Sequence, residues 1–437
     1  MHLFYQLLSY VVFGALWPVL LLHPKIRRGI KRRLGFFDVP ERPWPASRSA
    51  EGPRVWFHGA SAGDLLALFP VVKQIRDARP DATLIVSTMT NSGYAIAETK
   101  LMPIVDAITY VPYDFPGSTR RTVEVLRPDV LVLEYAELWP NLIHACRRGG
   151  ARVALTNGRL SESLVRRYRL LNAVAGNQLD KLDLMMMREP VEAERALALG
   201  APPSRVKVTG NTKFDNLPQA PDDAAIDDLK QRLGVDDRHV LVAGSTHEGE
   251  EKSILGAFSG MREVDATVRL FIAPRYIERA AKIEALARAE GFTVALRSAA
   301  DRDPKAIAAA DVLVLDTMGE LSRVYGLATL VFVGGSFVPR GGQNILEPAG
   351  QGRPVLFGPY MMNFRDSVEI LLGRGGIQVQ TPAQLEKIGR ELLSRPDEIE
   401  RLGVMARSAV QKARGASAKN AQMILALPTR RDRSQPS

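Results

Sequence analysis

From residue 54 onward the chain alternates short, unbroken apolar runs with longer amphipathic stretches, and it does so twice. The first series has runs at 55–58, 83–87, 130–133, 152–155, 182–187 and 206–209. Each is brief and partly β-branched, as a strand must be when helices cover both faces of its sheet. A Pro/Asp-rich segment at 217–223 breaks the rhythm and reads as a linker. The alternation resumes with runs at 240–243, 268–273, 312–315, 330–334 and 355–357. Two successive βαβ series predict an α/β chain of two Rossmann-like, doubly wound domains, at 50–216 and 224–410, with a cleft between them. Folds of this kind bind ligands at the carboxyl ends of their strands, so the informative residues should follow these runs.

The N-terminus has a different character. Residues 3–22 carry no charge and as a helix would span about 30 Å at roughly 1.5 Å per residue, near the hydrocarbon thickness of a bilayer. Gln6, Ser9, Gly14 and Pro18 interrupt the run, which keeps open a helix lying in the interface instead of spanning. The net charge is +10, and residues 1–50 hold eight basic against two acidic residues, so +6 of it is local. Residues 1–35 therefore read as a hydrophobic membrane anchor followed by a basic juxtamembrane stretch, with the body of the chain on the cytoplasmic side. A cleavable signal would have its cations before the apolar run. Nucleic acid is disfavoured as the anionic partner, because aromatic residues do not interleave with the basic ones. The single cysteine, Cys146, excludes an internal disulfide and reads as packing. No histidines are paired at ligand spacing, and Asp301-Arg302-Asp303 reads as a solvated turn, so no metal is expected. Residues 428–437 read as a disordered tail.

Four segments after the strands carry the candidate chemistry. In His58-Gly59-Ala60-Ser61-Ala62-Gly63-Asp64, small residues let a substrate approach the backbone, and Asp64 is either a helix cap or a general base. Residues 244–251 offer Ser245 or Thr246 as a cap whose free amides suit an anion, although no GK[ST] of a P-loop follows. Asp316-Thr317-Met318-Gly319-Glu320 repeats the strand, turn and helix-start pattern. Residues 334–348 combine glycines with Arg340 ahead of Glu347, which suits a nucleotide phosphate and a ribose diol. Three such loops in one half point to a nucleotide-type ligand.

Together these segments carry a resemblance. Trp56-Phe57-His58 with Ser61 and Gly63, Tyr113-Asp114 with Pro116-Gly117, Glu137-Leu138-Trp139-Pro140-Asn141, Asn157-Gly158-Arg159-Leu160-Ser161-Glu162 and Thr209-Gly210-Asn211 with Lys213-Phe214-Asp215 are followed by residues 243–251, Ala273-Pro274-Arg275, residues 316–321 and residues 339–348. In that order they resemble the 3-deoxy-D-manno-octulosonic acid (Kdo) transferases of lipopolysaccharide synthesis, which have the two-domain GT-B glycosyltransferase fold. The likeness runs from the N-terminus to about residue 410. It implies an inverting, metal-independent transfer of Kdo from CMP-Kdo to a lipid A precursor, at the cytoplasmic side of a bacterial inner membrane and without a cofactor. By the same resemblance the general base falls on Asp64 and a transition-state lysine on Lys213. The CMP contacts fall on Pro274, Arg275, Met318, Gly319, Glu320, Asn344, Ile345, Leu346 and Glu347. Ser61, Gly63, Tyr135, Ser245 and Arg340 are further candidate donor or acceptor contacts.

Three positions depart from the family pattern. Asp64 stands where the family has glutamate, Tyr135 and Ala136 replace a glutamate and a threonine, and Gln343 replaces a histidine. Shortening the base by one methylene shifts its carboxylate by roughly 1 Å, which can cost about 10²-fold in rate. Glu134 is next door, but the strand alternation should point it to the opposite face. Two other readings remain: a diverged relative using another CMP-activated acidic sugar or an altered lipid A, and a non-catalytic membrane-bound binder of nucleotide sugars or lipid.

Overall fold

The computed structural model describes residues 2–22, 27–39, 43–217, 222–235, 238–300 and 302–429. The expected tail from residue 430, Asp301 and linker residues 218–221 lie outside the described residues. The chain divides into two units, one made of Met1–Asn216 with Arg414–Ser437 and the other of Leu217–Ala413.

In the first unit the strands are β1 (Arg54–His58), β2 (Thr83–Thr88), β3 (Ala107–Tyr110), β4 (Val130–Glu134), β5 (Arg152–Gly158), β6 (Leu184–Met187) and β7 (Val206–Val208). They form one parallel sheet in the order β3-β2-β1-β4-β5-β6-β7. Along β1 the side chains alternate between two separate cores: Trp56 packs with Leu131 and Val153, while Val55 and Phe57 pack with Leu65, Leu68 and Val132. Burial on both faces is why these strands show no polar alternation.

The second unit contains β8 (Val240–Thr246), β9 (Arg269–Pro274), β10 (Val294–Leu296), β11 (Val312–Val314), β12 (Leu330–Val333), β13 (Val355–Phe357) and β14 (Gly376–Gln378). These too are parallel, in the order β10-β11-β9-β8-β12-β13-β14. The doubly wound α/β class expected from the apolar runs is therefore present in both units. The strands without a counterpart among the runs, β3, β10 and β14, all stand at sheet edges. An edge strand buries less surface, and β10 and β14 have only three residues each, partly accessible.

The N-terminal expectation needs correction. Among the described residues no helix is long and apolar enough to cross a membrane. The helix His2–Leu22 instead packs one side onto the first unit: Tyr5 donates to Asp114 at 3.0 Å, the Gly117 amide donates to Tyr10 at 3.0 Å, and the Phe13 ring packs tilted against Phe115 at 4.4 Å between ring centres. Its tyrosines, Gln6 and Ser9 serve that packing, and they are what lowers its hydropathy. The basic stretch is likewise part of the fold in places, since Arg33 is buried against the ring of Tyr110.

The helix Ala416–Leu425 returns to the first unit although the second unit precedes it in the chain. Asp215 accepts the amides of Gly415 and Ser417 at 2.6 Å each, Asn420 donates to Thr156 at 2.7 Å, and Ala421 and Ile424 join the core with Val72. Ile424 is 1% exposed, so Ile424→Ala should destabilise the first unit by about 2–5 kcal/mol, read as a lower urea midpoint for that unit's unfolding transition.

Candidate functional site

In each sheet the strand order reverses beside the first strand, between β1 and β4 in one unit and between β8 and β12 in the other. Loops on either side of such a reversal diverge and leave a crevice at the carboxyl ends of the strands. Asp64, Tyr135, Ser245, Arg340 and Asn344 lie on these loops and Arg275 follows the adjacent β9, whereas Met318 follows β11 and Lys213 follows the edge strand β7.

In the first unit the helix Ala62–Ala78 opens with a capping box. Asp64 accepts the Ser61 amide at 2.8 Å, and Ser61 accepts the Asp64 amide at 3.4 Å. The capping arrangement engages Oδ2 of Asp64, and among the described residues Oδ1 has no hydrogen bond. Across the reversal, Tyr135 ends β4 in the left-handed region (φ 55°), with its amide on the Thr156 carbonyl at 3.0 Å. That turn carries the chain away while Glu134, inside it, is fully buried and accepts the Asn157 side chain at 2.6 Å. Desolvation pushes the Glu134 carboxyl well above its ordinary range, and the nearby Asp64 charge adds to the effect. Burial also raises Glu137, which accepts the Trp139 indole at 2.9 Å. Three carboxyl groups and His58 therefore surround this end of the sheet. His58 is fully buried, with Nδ1 against the Ser87 carbonyl at 3.1 Å and Nε2 without a hydrogen bond, 4.0 Å from Glu137 Oε2. Burial pushes its pKa down to about 4, so it is neutral at pH 7.

Lys213 sits on the 3-10 turn Thr212–Asn216 beyond β7, its side chain exposed and its amide on Asn211 Oδ1 at 3.0 Å. The Asn216 side chain donates to the Leu66 carbonyl, so the turn is tied to the helix that carries Asp64.

In the second unit Ser245 adopts φ 56° at a bulge between β8 and β9, which lets the Arg275 amide bond the Thr246 carbonyl at 2.9 Å and sets Pro274 at the sheet's end. Glu250 ties two of the loops together: Oε1 accepts the amides of His247 (2.8 Å) and Gly335 (2.6 Å), and Oε2 accepts that of Phe337 (3.3 Å). A Cβ on Gly334 would lie 2.4 Å from Glu250 and 2.6 Å from the Thr246 backbone, so only glycine fits there. His247 meets Gln343 at 3.4 Å, and its imidazole is held below its ordinary pKa by burial and then by Arg340, Arg275 and Arg279. Arg279 is paired with Glu248 and Glu251. Arg275 and Arg340 are exposed and have no ion pair among the described residues. Two uncompensated cations beside a neutral imidazole make an anion-seeking surface.

The remaining predicted contacts are built differently from one another. Asn344, just before the short helix Leu346–Gly350, accepts the Leu346 amide (3.1 Å) and donates to Glu347 (3.1 Å), while Ile345 and Leu346 are core residues with only backbone to offer. Glu320 is already bound, by Arg297 at 2.8 Å and by the Thr317 hydroxyl. Met318 is 84% exposed, and Gly319 takes φ 85°. The helix that follows, Leu321–Val324, is one turn long, so its dipole is small compared with the expectation of a helix N-terminus there. Among functional positions, the sequence reading assigned no role to Glu250. The signal is a glutamate three residues after His247 with glycine between them, the spacing at which a side chain folds back onto its own turn.

A family model described as 3-deoxy-D-manno-octulosonic-acid transferase matches residues 28–216. Over 397 residues the chain is 30% identical to the 3-deoxy-D-manno-octulosonic acid transferase of Haemophilus influenzae, covering 90% of each chain. The enzyme of that name from Chlamydophila psittaci is 30% identical, with 86% of this chain and 84% of the relative covered. Among solved structures, UDP-GlcNAc 2-epimerase from Neisseria meningitidis bound to UDP-GlcNAc aligns with a TM-score of 0.54 over 85% of this chain and 99% of that one, at 13% identity, a likeness of fold.

His58 yields a pH prediction. Its folded pKa of about 4 lies below its ordinary 6.5, so the unfolded chain takes up the proton first. The neutral burial therefore holds above pH 6.5 and is lost as pH falls towards 4, a change of roughly 3 kcal/mol. Asp114, pushed up to about 6 by burial, titrates in the same window with the opposite sign. The quantity to measure is the stability difference between wild type and His58→Asn, which should shrink by that amount between pH 7 and 4.

Proposed function

The chain belongs to the Kdo transferase family and is a glycosyltransferase of lipopolysaccharide synthesis; from that premise we propose that it transfers Kdo from CMP-Kdo to a lipid A precursor with inversion, Asp64 acting as general base. The observation that carries this reading is the pair of reversal-point sites, one acidic and one cationic, each suited to one substrate. Two parallel α/β units are the parts of which a GT-B enzyme is made.

In the proposed reaction an acceptor hydroxyl attacks the anomeric carbon of Kdo. The new C–O bond forms as the bond from that carbon to the CMP phosphate breaks, and the hydroxyl proton passes to Asp64. Oδ2 of Asp64 is steadied by the Ser61 amide and Oδ1 is available, which is how a short carboxylate can be both cap and base. Ser61 and Gly63 lie at the same helix start, and Tyr135 faces it across the reversal. The departing phosphate gains negative charge, which Arg275 and Arg340 are placed to meet, with Ser245 beside them; cations of the protein then do the work without a metal ion. Glu347 and Asn344 suit the ribose, and the backbone at Pro274, Met318, Gly319, Ile345 and Leu346 lines the nucleotide, with Glu320 held by Arg297. Lys213 stands near the acid side as the transition-state cation.

Membrane contact belongs to the same reading. Leu3, Phe4, Leu7, Val11 and Leu16 of the first helix are 49–69% exposed, and the neighbouring helix Glu162–Ala175 exposes Arg166, Arg167, Arg169 and Leu170. An apolar face bordered by arginines suits a helix lying on anionic headgroups at the cytoplasmic face of the inner membrane.

Two experiments test these proposals. With CMP-Kdo and a tetra-acylated lipid A precursor in EDTA, wild type should give a product heavier by one or more Kdo units, and Asp64→Ala should lose at least about 10²-fold in kcat. Product only from Asp64→Glu would mark a decayed enzyme, and no product with donor still bound would refute Kdo transfer to lipid A. Co-sedimentation with phosphatidylglycerol vesicles should fall at least tenfold in Leu7→Asp/Val11→Asp and on raising salt, whereas unaltered binding would remove the interfacial helix.

A further inference from the structure

Glu134, Asn157 and Thr212 form a buried hydrogen-bonded chain that ends one residue before Lys213. Asn157 is fully buried at φ 49°. Its Nδ2 donates to Glu134 Oε1 at 2.6 Å and also to the Thr212 hydroxyl, and its Oδ1 accepts the Thr212 amide at 2.9 Å. The Thr212 hydroxyl donates in turn to the Ala67 carbonyl at 2.6 Å. Both amide protons of Asn157 are thus used, and among the described residues Glu134 is the acceptor of the one on the β4 side. The chain spans four elements: β4, β5, the turn Thr212–Asn216 and the helix Ala62–Ala78. The turn carries Lys213, the helix carries Asp64, and Tyr135 directly follows β4.

We infer that Glu134 is a positioning residue for the transfer reaction, one that anchors Asn157 and Thr212 and so holds the Lys213 turn against the helix of Asp64. The inference rests on the proposed transferase mechanism for its functional consequence, and on the hydrogen bonds alone for its structural one. Oε2 of Glu134 is buried without a partner, which suits a protonated carboxyl better than a charge. Burial favours that neutral state, Asp64 reinforces it, and Arg188, which opposes it, is paired with Glu192 at 2.8 Å. Glu134 stands beside Tyr135, the position where the family pattern has a glutamate, but it lies inside the turn with no route to the crevice. It acts on the chemistry through Thr212.

A protonated glutamate and a glutamine present the same acceptor and the same donor edge. Glu134→Gln should therefore keep kcat within about threefold. It should also keep native hydrogen-exchange protection in the peptide 209–216, which includes the Thr212 amide. Glu134→Leu removes the acceptor; it should speed exchange in that peptide and lower kcat by about 10- to 100-fold while donor KM moves less than about threefold, as expected when a group is displaced by about 1 Å. Thr212→Val removes the hydroxyl links and keeps the volume; it should behave like Glu134→Leu, and it decides the matter if the leucine variant does not fold. The inference is overturned if Glu134→Gln loses activity with native exchange, because the carboxyl would then be doing chemistry itself. It is overturned equally if the leucine and valine variants keep native protection at 209–216. Should wild type show no transfer, the exchange measurements still decide the anchoring, and the failure belongs to the transferase mechanism.

Discussion

Covering a parallel sheet on both faces leaves its strand ends as the place where backbone and side chains can meet a ligand. The central strands of each sheet are packed on both faces, as with Trp56 on one face of β1 and Val55 and Phe57 on the other. Polar chemistry is thereby driven to the carboxyl ends, and the reversal of strand order fixes which ends open. The acidic group at Asp64 and the arginines around His247 follow from that geometry more than from any single residue. Fold likeness to a nucleotide-sugar epimerase at 13% identity makes the same point, since the scaffold outlives its sequence.

Both units solve a common problem in the same way. A loop at a strand's carboxyl end has little apolar packing of its own, and in both units such a loop is held by a buried carboxyl group. Glu134 does this through Asn157, and Glu250 does it directly through three amides. Desolvation raises both carboxyl groups, which weakens any charge they would otherwise add to the site. The structure thus separates acids that hold loops from Asp64, which is only half buried.

Legibility from sequence followed apolar content more closely than burial: the exposed edge strand β7 shows as a run because of Val206 and Val208, whereas β3 (Ala-Ile-Thr-Tyr) is buried but mixed in composition, and β10 and β14 are three-residue edge strands. Asp64 could be read as a cap or a base, and the capping box shows how one aspartate can hold Ser61 with one oxygen and keep the other. The first helix misled as a possible membrane span because Tyr5, Tyr10 and Phe13 look like bilayer residues until Asp114 and Phe115 are seen beneath them. The links from Glu134 to Thr212 and from Asp215 to Gly415 join positions far apart in the chain, and no local pattern encodes them.

The return of the last helix to the first unit has a consequence for synthesis. The second unit, 217–413, is an insertion within the first, so all of its strands leave the ribosome before Ala421 and Ile424 exist to close the core around Val72. The first unit must wait with that core open while its guest folds. A chain released before residue 416 would carry the second unit attached to a first one whose helix Ala62–Ala78 lacks the cover of Ala421 and Ile424. The helix Ala416–Leu425 thus sets an order on folding: the core of the unit bearing Asp64 and Lys213 closes only once residues 416–425 have been made.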